Sequence, residues 1–174
     1  MEVAVKRGPT GSYDDFAVAE MQRLLGLALA LTGNRHDAWD LTQETLARVG
    51  ERWRSVHTQP GAYARTVMVR LNIDRIRRLK RELLPGTTPD QTVEVTLLEG
   101  TPQWLLDALA TLSPRQRTAL ALRHVEDLDI AGVADRMGCS LGTAKSHLSR
   151  GTERLREFAV AAGITSAHQE DRDG

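Results

Sequence analysis

Residues 138–151 read GCSLGTAKSHLSRG. Gly138 is suited to the left-handed position that ends a helix. Ser140 is a side-chain cap for the next helix, and helical period starts at Leu141. The stretch before it, DIAGVADRM (129–137), reads as a short helix capped by Asp129 and running from Ile130 to Met137. Two helices joined by a glycine-containing turn of about three residues form the unit whose second helix enters the major groove of DNA. Val133, Ala134 and Met137 are expected to pack against Leu141, Ala144 and Leu148. That leaves Gly142, Thr143, Lys145, Ser146, His147, Ser149 and Arg150 outward, where Gly142 and Ser146 let the backbone approach a phosphate and Lys145, His147 and Arg150 suit phosphates or base edges. A helical bundle with an ordinary solvated face uses the same turn, so the decision between the two lies elsewhere in the chain.

Immediately upstream, LSPRQR (112–117) has the serine, proline and glutamine spacing of a capping box, and starts a helix that runs to His124. Further upstream three longer helical segments stand out: Tyr13 to Leu31, His36 to Trp53, and Pro60 to Arg81. Gly33 and Asn34 separate the first two. Between the two groups, LLPGTTPDQTVEVTLLEGTP (83–102) has no helical period, and TVEVTLL within it is a lone strand-like run read as extended linker. The expected fold is all-α, with two small helical domains joined by a flexible linker. Their boundaries are 12–82, 83–101 and 102–162, with a disordered tail at 163–174.

Composition narrows the function. Aromatic residues make up only 4% of the 174, so the core rests on aliphatic side chains. The one cysteine, Cys139, rules out an internal disulfide and is read as a small buried residue. The five histidines show no metal-ligand spacing, no catalytic constellation is visible, and no cofactor is expected. The N-terminus lacks a signal peptide's apolar core and no run is long enough to span a membrane, so a cytoplasmic protein is expected.

Net charge is zero, yet the charge is segregated. Residues 62–82 carry Arg65, Arg70, Arg75, Arg77, Arg78, Lys80 and Arg81 against Asp74 and Glu82. A helix this basic suits a nucleic-acid backbone. Before it lies the polar loop RWRSVHTQPGAY (52–63), which places Trp53 and Tyr63 beside a cationic track. Those rings either stack on unpaired bases or belong to the core. In DAWDLTQETLARV (37–49), Asp40, Gln43, Glu44 and Arg48 share one helix face. The face is either simply solvated or a docking surface for a basic partner.

Together these stretches resemble the compact extracytoplasmic-function (ECF) sigma factors of bacterial RNA polymerase, which keep only regions two and four. LTGNRHDAWDLTQETLARV is similar to the core-binding helix of region two, AYARTVMVRLNIDRIRRLKR to its promoter-melting part, and residues 112–157 to region four. The style of the loop resembles an actinobacterial, sigma-E-like branch. The resemblance implies that Asp40, Gln43 and Glu44 dock on the polymerase core. It implies that Ser55, His57, Thr58, Gln59, Tyr63, Arg77 and Arg78 serve the minus-ten element. Thr143, Lys145, Ser146, His147 and Arg150 would serve the minus-thirty-five element. Promoter DNA, duplex and melted, and the polymerase core are then the expected partners; whether an anti-sigma factor also binds stays open. Trp39, Arg65, Arg70 and Gly132 depart from the family's usual residues.

The alternatives are a conventional helix-turn-helix regulator and a decoy that binds polymerase unproductively. The regulator gives the acidic face no role, and an enzyme lacks a catalytic constellation. The 19 residues from Glu82 to Gly100 span roughly 65 Å at most. Two elements one and a half to two helical turns apart are about 50 to 70 Å distant. The linker therefore bridges them only when nearly extended or with help from the width of the domains.

Overall fold

The computed structural model describes residues 11–56, 59–82 and 100–164, with only the backbone described at 80–82. The strand-like linker segment, the tail from residue 165, His57 and Thr58 lie outside the described residues. All regular elements among the described residues are helical, and the chain divides into two compact units, 1–99 and 100–174.

In the first unit, α1 (Tyr13–Thr32) begins at Ser12. The Ser12 hydroxyl accepts the Asp15 amide at 3.1 Å, and the Asp15 carboxylate accepts from Ser12, a reciprocal cap. The helix stops at Gly33, which takes a left-handed φ of 79° while its N–H donates to the Leu29 carbonyl. Asn34 then caps α2 (Arg35–Glu51) by accepting the Asp37 amide at 2.8 Å. A short 3₁₀ turn, Trp53–Ser55, leads to α3 (Pro60–Glu82), which packs on both earlier helices. The core is Leu24, Leu25, Leu27, Ala28 and Leu31 from α1, Ala38, Leu41 and Val49 from α2, and Ala64, Met68 and Val69 from α3.

Two threonines point into this core, and they fix which face of α2 is free. Thr42 and Thr45 are fully buried, and their hydroxyls donate to the Ala38 and Leu41 carbonyls at 2.8 and 2.7 Å. With those polar atoms satisfied inside their own helix, burial costs little. On α3 the sequence favours Tyr63, Val67 and Leu71 and the row Val69, Ile73 and Ile76; Val69 is fully buried, the others are only half-buried, and Ala64, Met68 and Asn72 complete the innermost row.

The sequence also continues α2 to Trp53, but the helix ends at Glu51 and Trp53 lies in the 3₁₀ turn. Its ring meets Tyr13 edge-on at 5.7 Å and Phe16 at 5.0 Å. The Tyr13 hydroxyl donates to the Leu46 carbonyl at 2.8 Å. Burial and then the charge of Asp14 push its pKa up, so it remains a donor. Gly50 admits this ring: a Cβ there would lie 3.2 Å from it.

Gly26 is the opposite case, exposed mid-helix with nothing within 4 Å of a Cβ. Gly26→Ala is expected to stabilise the first unit by about 0.5–1 kcal/mol, read as a higher denaturation midpoint.

The second unit contains α4 (Gln103–Ala110), α5 (Pro114–His124), α6 (Ile130–Met137) and α7 (Leu141–Ala161). The Arg117 guanidinium donates to the Leu109 and Leu112 carbonyls at 3.0 and 2.8 Å, tying the end of α4 to α5. Ser113 and Gln116 form the expected capping box. Asp129 caps α6 by accepting the Gly132 amide at 2.7 Å. Gly132 is tolerated in that first turn because a Cβ would sit only 3.2 Å from the capping oxygen.

Gly138 ends α6 with φ 61°, and Ser140 opens α7 by accepting the Thr143 amide at 3.1 Å. The packing of α6 on α7 is carried by Val133, Ala134 and Ala144. Two expectations need correction here. Leu141, at the first position of α7, keeps half of its surface exposed. Cys139 is half-buried, since its turn lies at the edge of the unit.

Candidate nucleic-acid and protein interfaces

Because Leu41, Thr42 and Thr45 turn inward, Asp40, Gln43 and Glu44 emerge together on the exposed side of α2. Asp40 lies 3.3 Å from His36 Nε2 and Glu44 lies 3.5 Å from Arg48 Nη2, both one turn along the helix. Exposed pairs of this kind hold their charges weakly, so both carboxylates are available to a partner. Asp37, on a neighbouring face, pairs instead with Arg75 of α3. Arg75 therefore belongs to the contact between helices and leaves the basic track in which the sequence places it.

The loop before α3 is described at Ser55, Val56 and Gln59. Ser55 is exposed and its hydroxyl donates to the Arg52 carbonyl at 2.8 Å, while Val56 is buried and anchors the loop. Gln59 is exposed with a φ of 53°, a left-handed conformation uncommon for a residue with a Cβ, and its carbonyl accepts the Tyr63 amide. Trp53 is engaged by two aromatic rings and is not a free stacking face. Tyr63 is half-buried in the first turns of α3, and Arg77 and Arg78 are exposed near its end.

Tyr63, Arg70 and Arg77 recur every seven residues, so they lie along one stripe about 21 Å long. Arg70, absent from the sequence-derived set, is exposed within that stripe. Asp74 shares it and lies 3.8 Å from Arg77.

On α7, Lys145 and Arg150 are exposed, and Thr143, Ser146 and His147 are half-buried. The Thr143 hydroxyl is 2.9 Å from Ser140 Oγ and so belongs to the cap. Burial lowers the His147 pKa, helped by the charges of Arg115 and Arg150. Arg115, exposed at the start of α5, thus joins the cationic field around α7. The sequence hides this, since Arg115 stands on a different helix with no periodic relation to His147.

The lowered pKa sets a sign. The folded protein binds a proton at His147 less readily than the unfolded chain, so this group favours the fold above pH about 6.5 and disfavours it increasingly as pH falls through that value. With α7 set against DNA, as the sequence leads one to expect, phosphates would reverse the field and favour the imidazolium. Promoter affinity is then expected to rise by about threefold as pH falls from about 7.5 to 6. His147→Gln should flatten that part of the profile, measured by fluorescence anisotropy at constant ionic strength.

No described helix is long and apolar enough to cross a membrane. Residues 17–82 match the family described as Sigma-70 region 2, and residues 103–155 match Sigma-70, region 4. The RNA polymerase sigma-E factor of Streptomyces coelicolor is 33% identical over 164 residues, covering 90% of this chain and 91% of that protein. The ECF sigma factor SigE of Mycolicibacterium smegmatis is 33% identical over 163 residues, covering 84% of this chain and 61% of that one. The chain belongs to the ECF sigma factors.

As a sigma factor it binds RNA polymerase core and promoter DNA and directs promoter-specific transcription initiation; it is a regulatory initiation factor and not an enzyme. The helical fold of its described residues agrees with solved relatives. The Mycobacterium tuberculosis sigma factor SigJ is 29% identical, with a TM-score of 0.57 over 83% of this chain and 54% of that one. RpoE of Bartonella quintana, solved with the anti-sigma factor NepR, shares the fold at 24% identity, with a TM-score of 0.58 over 84% and 95%. Sigma-E factors stand among the relatives, as the style of the loop leads one to expect.

Proposed function

We propose that the sigma factor divides its promoter between its two units. Residues 12–82 dock on core polymerase and hold the melted minus-ten element, residues 102–162 read the minus-thirty-five duplex, and residues 83–101 bridge them. Asp40, Gln43 and Glu44 supply the docking face. The loop Ser55 to Gln59 captures an unstacked base, with Tyr63 behind it and Arg70, Arg77 and Arg78 tracking the strand. Trapping unstacked bases in this way offsets the cost of opening the duplex. Thr143, Lys145, Ser146, His147 and Arg150 face the upstream groove, with Arg115 beside them.

The observation that carries this reading is the separation of faces. The acidic docking face and the basic stripe lie on different helices of one unit, and neither is consumed by packing. Working beside polymerase, the protein acts in the cytoplasm. An anti-sigma factor, the class of partner that accompanies B. quintana RpoE, would regulate it by covering these faces.

The division of labour has a direct test on holoenzyme. Arg77→Ala with Arg78→Ala should cut permanganate-reactive thymines at the downstream element by about tenfold or more while sparing the upstream footprint. Lys145→Ala with Arg150→Ala should weaken the upstream footprint by a similar factor. The opposite assignment of effects would refute the division.

A further inference from the structure

We infer that Leu141 reads bases, recognising the C5-methyl group of a thymine in the upstream element; this rests on the proposal that α7 faces that duplex. Leu141 is the first residue of α7 and keeps 50% of its surface exposed, although its period points it inward. Gly142 and, one turn on, Lys145 are exposed beside it. The space over Gly142 is open, with only Ser140 Oγ, at 3.9 Å, near the position of a Cβ. The exposed half of Leu141 and the open space over Gly142 therefore leave an apolar surface to which a groove can come close. The first residues of such a helix are the ones that reach base edges.

Leucine has neither donor nor acceptor, so the hydrogen-bond code of the groove is invisible to it. The feature of a base edge it can recognise there is the thymine methyl. Covering one methyl with exposed aliphatic surface is favourable, whereas covering the polar edge of a G·C pair strands a desolvated group. Leu141 therefore adds an apolar reader to a surface otherwise made of charges and hydroxyls, and it selects for A·T at one position.

The test replaces each thymine of the mapped upstream element, on both strands, with uracil, which removes the methyl and leaves base pairing intact. With wild-type holoenzyme, one or two positions should lose about three- to fivefold in promoter binding. With Leu141→Ala, binding to the thymine promoter should fall by the same factor, and uracil at those positions should cause no further loss. Wild-type holoenzyme indifferent to uracil at every position, an element with no A·T pair, or discrimination that survives Leu141→Ala would each overturn the inference. Circular dichroism of Leu141→Ala should match the wild type, since alanine is a good helix former. An Arg150→Ala arm separates the two levels. If it leaves promoter binding unchanged, the placement of α7 has failed; if it weakens binding while uracil has no effect, only the role of Leu141 has failed.

Discussion

Asp40→Ala combined with Glu44→Ala is expected to weaken binding to core polymerase by about a hundredfold or more, with the helix intact. Close charge pairs across an interface are coupled by about 1.5 kcal/mol or more each, and two such pairs account for a factor of that size. The fold has little stake in either carboxylate. Both are exposed, and each meets only a neighbour one turn away, His36 at 3.3 Å and Arg48 at 3.5 Å. Pairs of that kind contribute a few tenths of a kcal/mol, and alanine recovers as much through helix propensity. Circular dichroism and thermal midpoint should therefore match the wild type while titration against core polymerase shows the loss. Asp37→Ala is the contrasting control, because it breaks the partly buried pair with Arg75 and should lower the midpoint of the first unit. Unchanged core affinity in the double variant would remove the docking role of α2.

Gly151→Val should have the largest effect on the second unit. Gly151 is buried where α7 crosses α5, and a Cβ there would lie 2.9 Å from Leu120 Cδ1 and 3.4 Å from Gln116 Cβ. Leu120 is itself buried, so it has no open space into which to turn. Overpacking of this kind costs about 1–3 kcal/mol and should lower the unfolding midpoint of the second unit. Recognition of the upstream element should fall with it, because α5 and α7 are held in register at this crossing. Gly151→Ala should cost less, since its gain in helix propensity offsets part of the collision. A Gly151→Val protein with an unshifted midpoint would show that the crossing yields more readily than the close approach implies.

The contrast with Gly26 shows where the sequence is legible. Gly26 and Gly151 both sit inside helices, one with open space and one beneath Leu120, and no local pattern tells them apart. Helix ends are different, because their chemistry is local. Ser113 with Gln116, Asp129, Gly138 and Ser140 mark their caps within three residues of the atoms they satisfy, and each is readable from the chain alone. The outward face of α2 is readable for the same reason, once two inward threonines are allowed to bond to their own helix.

What the sequence hides depends on a second element. Leu141 is apolar and in phase with the core, yet half of it stays exposed. Trp53 continues the period of α2 into a turn, where Tyr13 and Phe16 receive it. Arg75 looks like one more basic residue until Asp37 is seen opposite, and Arg115 gains its place beside His147 only when α5 and α7 pack. In each case the deciding neighbour is distant in sequence, so no period or spacing within one helix announces it.

The most direct test of the central claim is transcription of genomic DNA from this protein's host by core polymerase, with and without the chain. New start sites that require the chain are expected, each preceded by a shared pair of sequence elements. They should disappear with Asp40→Ala plus Glu44→Ala. An unchanged set of starts, alongside tight duplex binding by the isolated chain, would contradict it and favour a conventional helix-turn-helix regulator.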